Sequence, residues 1–175
     1  MGYTHYWIAK ESTKKDFLKF SAACKKLHDS LPEKTDTAGG YSSDEPLEIR
    51  GGLGEGNPEF TPEMVWFNGN KERDLDHETF LIQRTQDDDL WNFCKTARKP
   101  YDLLVVACLL AAVDFLDYTF SSDGITDYFN EMKSVHIREC DDLLPGLKFY
   151  NKVMGTNYTE DHIWKIRKED RIRRK

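Results

Sequence analysis

The spacing of apolar positions changes along the chain and predicts both strands and helices. Strict alternation over residues 3–9, YTHYWIA, predicts a first strand. One face of that strand carries the side chains of Tyr3, His5 and Trp7. After Thr13, a predicted N-cap, apolar residues recur at spacings of three and four as far as Leu31, and Pro32 ends this amphipathic helix.

The most apolar segment runs from Leu103 to Val113 without a polar residue. A helix with no solvated face must be covered on most sides, so this segment predicts a central core helix. Pro100 suits the first helical position, where its missing N–H leaves no bond unmade, and Asp102 complements the positive end of the helix dipole. We therefore expect the helix to begin at about residue 100.

Shorter elements are predicted on both sides of this helix. Residues 64–68 and 78–84 predict neighbouring antiparallel strands, and further strands are predicted at residues 47–50 and 118–122. Helices are predicted over residues 127–140, capped by Thr126, over residues 147–154, stopped by Gly155, and after Thr159. The whole pattern predicts a single compact α+β domain, with a small, mostly antiparallel sheet packed on the buried central helix and additional surface helices.

Two segments lack such periodicity. The small and polar residues from Glu33 to Asp44 predict a mobile surface loop. The run GGLGEGNP, residues 51–58, is rich in glycine as phosphate-wrapping loops are, but it matches neither GxxxxGK[ST] nor a GxGxxG turn that opens a helix. A plain flexible loop explains these glycines equally well.

Charge is distributed unevenly along the 175 residues, whose net charge is −6. The last eleven residues, KIRKEDRIRRK, hold seven basic and two acidic side chains, which leaves 18 basic and 29 acidic residues, a net charge of −11, in residues 1–164. We assign residues 1–164 to the domain and residues 165–175 to a basic C-terminal tail that either ends the last helix or is disordered. An acidic body disfavours nucleic-acid binding except through that tail.

Cysteine usage and the N-terminus bear on the cellular compartment. The four cysteines are scattered without a CxxC pair, which is typical of reduced thiols in a cytoplasmic protein. The start, MGYTHYWIAK, has no secretion signal, and the apolar run of the central helix is shorter than the roughly 20 residues that cross a bilayer. We expect no membrane partner.

A basic cluster precedes the central helix and is the leading candidate site. It consists of Lys95, Arg98 and Lys99. Unpaired N–H groups at a helix start favour a negative partner, so the cluster predicts a site for phosphate or carboxylate. Arg84 is a possible fourth donor and Tyr101 a stacking surface for a base or ring. Alternatively, these cations solvate the rim of the helix and pair with the acidic run at residues 87–89.

The aromatic face of the first strand has two interpretations. Tyr3, His5 and Trp7 line a pocket around a flat ligand, or they pack a sheet core in which the histidine is hydrogen-bonded.

Candidate catalytic residues lack partners at recognisable spacings. His77 lies between two acids, as a general base or metal ligand does, although a solvated loop also explains it. His136 and Cys140 are four apart on a predicted helix, but no second ligand pair accompanies them. Cys94 has no assignable histidine partner. We therefore assign no catalytic residue, no metal and no cofactor, and favour a protein that is not an enzyme.

Four short segments resemble a set of small, uncharacterised proteins encoded by bacteriophages. They are MGYTHYW at the start, FNG at residues 67–69, FCKTARKPYD at residues 93–102 and SDG at residues 122–124. The resemblance implies a viral accessory protein acting in the cytoplasm of a bacterial host. It supplies no catalytic residue.

Three functional hypotheses follow. The first is an accessory protein that binds an anionic, nucleotide-like ligand at the basic cluster, with Trp7 or Tyr101 on the base, and so sequesters a host signalling nucleotide or counteracts a defence system. On this hypothesis, replacing Arg98 and Lys99 by Ala weakens binding without unfolding the domain. The second is an inhibitor whose acidic body docks on a basic host protein. The third is an enzyme acting on a phosphoester or nucleotide through His5, His77 or Cys94. Oligomeric state is not predicted.

Overall fold

The computed structural model describes residues 2–34, 45–85 and 91–174. Within these ranges the chain forms one compact α+β domain with four α-helices and nine short strands. This confirms the fold class predicted from the sequence.

The strands are short and every pairing between them is antiparallel. They are β1 (Thr4–Ile8), β2 (Ile49–Arg50), β3 (Glu59–Phe60), β4 (Met64–Gly69), β5 (Phe80–Gln83), β6 (Trp91–Lys95), β7 (Thr119–Ser122), β8 (Thr126–Asn130) and β9 (Val135–Glu139). One sheet has the order β6-β1-β7, a second has the order β2-β4-β3 with β5 also on β4, and β8 and β9 form a separate hairpin. The helices are α1 (Lys14–Asp29), α2 (Asp102–Leu116), α3 (Leu144–Met154) and α4 (Glu160–Arg173), with 3₁₀ turns at Lys71–Arg73 and Asp141–Leu143.

The central core helix is confirmed as α2. Every residue from Leu104 to Ala112 is buried, and α1, α3 and β7 pack around them. The helix begins at Asp102, slightly later than predicted. Pro100 lies in the preceding turn, because the N–H of Asp102 donates to the Lys99 carbonyl and the N–H of Leu103 donates to the Pro100 carbonyl.

Other local predictions are also confirmed. The Thr13 hydroxyl caps α1 by accepting the N–H of Asp16 at 3.1 Å. β4 and β5 are the antiparallel neighbours expected from residues 64–68 and 78–84. Gly155 ends α3 with a φ of 74°, a left-handed conformation that glycine adopts without strain. The four cysteines are free and buried.

The helix predicted over residues 127–140 is wrong. These residues form the β8–β9 hairpin, and Thr126 is its first strand residue rather than a helix cap. Tyr128, Met132 and Val135 have helical spacing, but Met132 lies in the connecting turn and is 96% exposed. The sequence did not predict the strand β6, whose large apolar side chains, Trp91 and Phe93, are exposed while Cys94 is buried, so the segment lacks the buried apolar face that marks a strand.

The basic C-terminal segment is helical as far as Arg173. Ile166 and Asp170 are buried where α4 packs on β7, and the carboxylate of Asp170 accepts the hydroxyl of Thr119 at 3.4 Å. The predicted loop at residues 33–44 lies outside the described residues apart from its first two, and the bridge between Lys34 and Pro46 joins its ends. The acidic run at residues 87–89 also lies outside them. None of the described helices is long and apolar enough to cross a membrane.

Candidate functional site

Three of the resemblance segments meet beside the N-terminus of α2. His5 Nε2 lies 2.7 Å from Asp102 Oδ1, and the same oxygen accepts the Thr96 hydroxyl at 2.5 Å. At the other edge of β1, the N–H of Thr4 donates to the Asp123 carboxylate at 3.0 Å. Segments far apart in the sequence therefore build one polar corner, which we call the junction: residues 3–5, 94–102 and 122–124.

The predicted basic cluster lies at the junction, but acids neutralise two of its three cations. Arg98 donates to Asp142 at 2.7 Å, and its guanidinium lies 4.2 Å from the centre of the Tyr3 ring. Burial opposes the charge, yet the hydrogen bond that Arg98 donates to Asp142 raises the pKa of Arg98 overall. Lys99 donates to the carbonyl and the carboxylate of Asp74 at 2.5 and 3.0 Å. These contacts stabilise the turn before α2.

That turn holds two consecutive non-glycine residues in the left-handed region. The φ angles of Ala97 and Arg98 are 52° and 58°. Such residues each cost on the order of 1 kcal/mol, so surrounding contacts must hold them. The carbonyl of Tyr3, the residue before β1, holds this turn because it accepts the N–H groups of Thr96 and Ala97 at 3.0 and 3.2 Å.

The remaining predicted ligand residues are placed less favourably for binding. The Arg84 guanidinium binds Glu63 at 2.8 Å at the end of β5. The side chain of Lys95 lies against Gly2. Tyr101 is 1% exposed and donates its hydroxyl to the Glu78 carbonyl at 2.7 Å, and Trp7 is also 1% exposed. Neither ring has a face open to a base.

The inner face of β1 is packed core. Tyr3 and His5 meet edge to face at 5.1 Å, and Trp7 contacts Phe80 at 5.5 Å between ring centres. Tyr3 Oη, His5 Nδ1 and Trp7 Nε1 are buried without a hydrogen-bond partner among the described residues. Because these rings pack against one another and His5 is hydrogen-bonded through Nε2 to Asp102, the alternative of a packed sheet with a hydrogen-bonded histidine describes this face.

The surroundings of Cys94 and His136 do not suit the catalytic and metal-binding roles considered for them. Burial raises the pKa of Cys94, whose thiol donates to the Glu78 carbonyl at 3.4 Å, so the thiolate is disfavoured. His136 lies on β9 and contacts Asp127 at 2.8 Å, so the proposed helical pairing with Cys140 does not form. Over the described ranges, no three His, Cys, Asp or Glu side chains are grouped as metal ligands.

A cleft of about 560 Å³ lies between α4 and the β8–β9 hairpin, and we call it the basic cleft. Five cations and two carboxylates line it, together with His136, Trp164 and Ile172. The cations are Arg138, Lys165, Arg167, Lys168 and Arg171, and the acids are Asp127 and Asp161. The guanidinium of Arg138 lies 4.3 Å above the ring of the half-buried Trp164.

Most of the positive charge in the basic cleft is unpaired. Asp127 binds Arg171 at 2.7 Å, but within residues 2–34, 45–85 and 91–174 the four other cations of the cleft form no ion pair. Arg167 Nε is buried without a hydrogen-bond partner in that part of the chain. Burial, and then the neighbouring Arg171, lower the pKa of Arg167. An anion in the cleft would offset both effects.

Sequence reasoning missed the basic cleft because it placed a helix where the hairpin lies. Trp164, Lys168 and Arg171 share one side of α4, as helical residues separated by three or four positions do. The opposite wall comes from β8 and β9. Alternation in residues 126–130 and 135–139 was the available signal for these strands.

The glycine-rich loop borders a second cleft of about 600 Å³. Its charges are balanced: Arg50 and Lys71 face Glu55 and Glu72, and Lys71 lies 3.3 Å from Glu55. The amide of Gly51 is used within the loop, where it donates to the Glu55 carbonyl at 3.0 Å. The loop therefore has less to offer a phosphate than the basic cleft.

Comparisons with models of known families, with curated proteins and with solved structures found no match to this chain. The resemblance to bacteriophage proteins stays a prediction.

Proposed function

We propose that this protein binds an anionic, nucleotide-like ligand in the basic cleft. The observation that carries the proposal is the side chain of Arg167, whose buried Nε has no hydrogen-bond partner in the described residues. Three cations that form no ion pair there line the same cleft, namely Arg138, Lys165 and Lys168. The volume of about 560 Å³ matches sites for small ligands, which span roughly 300–1,000 Å³.

The lining matches the two parts of a nucleotide. Guanidinium groups bind phosphate through paired, charge-assisted hydrogen bonds, and Arg138 and Arg167 supply them from two walls. The indole of Trp164 is large and flat, and aromatic rings of this kind stack on bases. In an accessory protein of the bacteriophage type, such a site sequesters a host signalling nucleotide inside the cell.

Isothermal titration calorimetry with mono-, di- and cyclic nucleotides tests the proposal. We expect stoichiometric binding by the wild type. The variant Arg167→Met/Lys168→Gln keeps side-chain bulk but removes two cations, and it should weaken binding by about tenfold to several hundredfold, because a hydrogen bond to a charged group contributes about 1.5–3 kcal/mol. Absence of binding by the wild type overturns the proposal.

Two further variants locate the ligand. Lys14→Gln/Lys15→Gln removes two exposed cations from α1, away from the cleft, and should leave binding unchanged. Arg98→Ala/Lys99→Ala tests the junction. If this variant melts normally and loses binding while the cleft variant retains it, the ligand lies at the junction instead.

A protein partner is the second candidate, and the tip of the β8–β9 hairpin favours it. Tyr128, Phe129, Met132 and Val135 are 51%, 59%, 96% and 46% exposed. Exposed apolar patches of this kind are typical of interaction sites. A stoichiometric host protein that is captured by the wild type and lost with Phe129→Ser/Met132→Ser supports this function. Retention of the same protein by that variant argues against it.

A further inference from the structure

Three aromatic side chains lie together on the outer surface of the β6-β1-β7 sheet. The register pairs Tyr6 with Phe93 and Ile8 with Trp91, so Tyr6, Trp91 and Phe93 project from one face. The rings of Tyr6 and Trp91 are stacked, with centres 5.4 Å apart and planes at 17°, and Trp91 and Phe93 lie 5.5 Å apart. Trp91 is 49% and Phe93 50% exposed. We call these three residues the aromatic face.

The end of α4 brings a cation to the same face. Ser121 of β7 is the register partner of Tyr6 on its other side. Arg174 donates to the Ser121 hydroxyl at 3.2 Å while its Nε binds Asp170 at 2.6 Å. A guanidinium therefore lies on the strand next to Tyr6.

A row of arginines connects the aromatic face with the basic cleft. Arg167, Arg171 and Arg174 follow one another at spacings of four and three, which places them along one side of the helix over about 10 Å of axis. Arg171 and Arg174 both lower the pKa of Arg167, after the larger effect of burial, as close like charges do. Cations and aromatic rings thus form one continuous strip.

We propose that this strip binds single-stranded nucleic acid, with phosphates along the α4 arginines and bases stacked on the aromatic face. The proposal rests on the anion-binding function of the basic cleft and extends it from one nucleotide to several. A charged groove beside stacking rings is the arrangement by which proteins hold single strands without sequence preference. A duplex hides its base faces, so the rings have nothing to stack on.

Charge confines the bound strand to this strip. Residues 1–164 carry a net charge of −11, which repels phosphates from the rest of the surface. The acidic run at residues 87–89 precedes Trp91 in the sequence, so we place the phosphates on α4 and only uncharged bases on the rings. Binding should weaken steeply with salt, since each released counterion contributes to the slope.

Fluorescence anisotropy with labelled twelve-residue oligothymidylate and oligouridylate, and with a DNA duplex of the same length, tests the proposal. We expect both single strands to bind more tightly than a mononucleotide, and the duplex to bind at least about tenfold more weakly than either. A difference between the affinities for oligothymidylate and oligouridylate would show whether DNA or RNA is preferred. Equal binding of duplex and single strand would overturn the stacking role.

The matched variants separate stacking from apolar contact. Trp91→Leu/Phe93→Leu keeps an apolar surface on β6 but removes the rings, and it should weaken oligonucleotide binding about tenfold or more while leaving mononucleotide binding in the cleft unchanged. The control Leu18→Ser/Leu53→Ser alters side chains that are 52% and 71% exposed elsewhere and should have no effect. Melting curves establish that each variant is folded, and photo-crosslinking of bromouridine-labelled RNA to Trp91 of the wild type gives a second readout.

The outcomes distinguish this inference from the proposed function. If mononucleotides bind but oligonucleotides bind no more tightly, or if the leucine variant binds oligonucleotides like the wild type, the inference is overturned and the proposed function stands. If neither class binds the wild type, both are overturned.

Discussion

Asp102 should stabilise the domain far more than an ordinary acid at a helix start. Its replacement measures how much free energy its hydrogen bonds at the junction contribute to folding. It is the first residue of α2, and its Oδ1 accepts hydrogen bonds from His5 and Thr96, both of which are 0% exposed. A hydrogen bond to a charged acceptor contributes about 1.5–3 kcal/mol, and its loss leaves a buried donor without an acceptor. Asp102→Ala should therefore lower the free energy of unfolding by about 3–6 kcal/mol, out of the roughly 5–15 kcal/mol of a typical domain.

Glu160→Ala provides the matched control. Glu160 is the first residue of α4, is exposed, and forms no hydrogen bond through its side chain in the described residues. Both variants lose the attraction of a carboxylate to the helix dipole, about 0.3–1 kcal/mol, so the difference between them isolates the two buried hydrogen bonds. Urea denaturation followed by circular dichroism gives both values, provided the m-values agree. A difference below about 1 kcal/mol would refute the assigned role of Asp102.

Three further predictions follow from burial. All four cysteines should resist iodoacetamide at pH 8 in the native state and react in urea, because all four are buried and burial raises the pKa of Cys24 and Cys94 and raises that of Cys140 to about 11. Rapid labelling of Cys94 in the native protein, read by mass spectrometry, would instead support a nucleophile. Burial lowers the pKa of His162 from 6.5, so the folded protein binds fewer protons than the unfolded chain and loses stability as pH falls below that value. The variant His162→Phe keeps a ring stacked on Tyr158, as the histidine is at 3.8 Å, and should flatten the dependence of the unfolding free energy on pH between about pH 7 and pH 5. An unchanged pH dependence would exclude His162 as its cause. Gly146→Ala should destabilise the protein by about 1–3 kcal/mol, although this exchange usually stabilises a helix, because the added Cβ would meet Val106 Cγ1 of α2 at 2.4 Å; a raised melting temperature would contradict this packing.

The proposed binding strip changes what the net charge implies for function. A charge of −11 over residues 1–164 argues against general nucleic-acid binding, and the sequence alone predicts that the basic segment is a C-terminal tail. In the fold, residues 165–173 are a packed helix whose exposed side carries the cations, while Ile166 and Asp170 face the sheet. A helix holds its charges in fixed positions, so it can present a defined row to a phosphate backbone where a disordered tail cannot.

Local patterns in the sequence were sufficient for most of the elements. The uninterrupted apolar run from Leu103 to Val113 required a covered helix, and the spacing after Thr13 required an amphipathic one. Alternation identified β1 and the β4–β5 pair. These features depend on neighbours within a few positions of one another, and a single sequence displays them directly.

Tertiary structure decided which charges remained free. Nothing near Arg98 in the sequence indicates Asp142 as its partner, because the two residues are 44 positions apart, and Lys99 finds Asp74 at a separation of 25. The basic cleft likewise needs α4 and a hairpin whose spacing imitates a helix. Periodicity is a short-range property of the chain, whereas the compensation of charge depends on which distant segments the core brings together. The sequence by itself therefore determined most of the elements and the buried central helix, and only the fold moved the candidate site from the start of α2 to the side of α4.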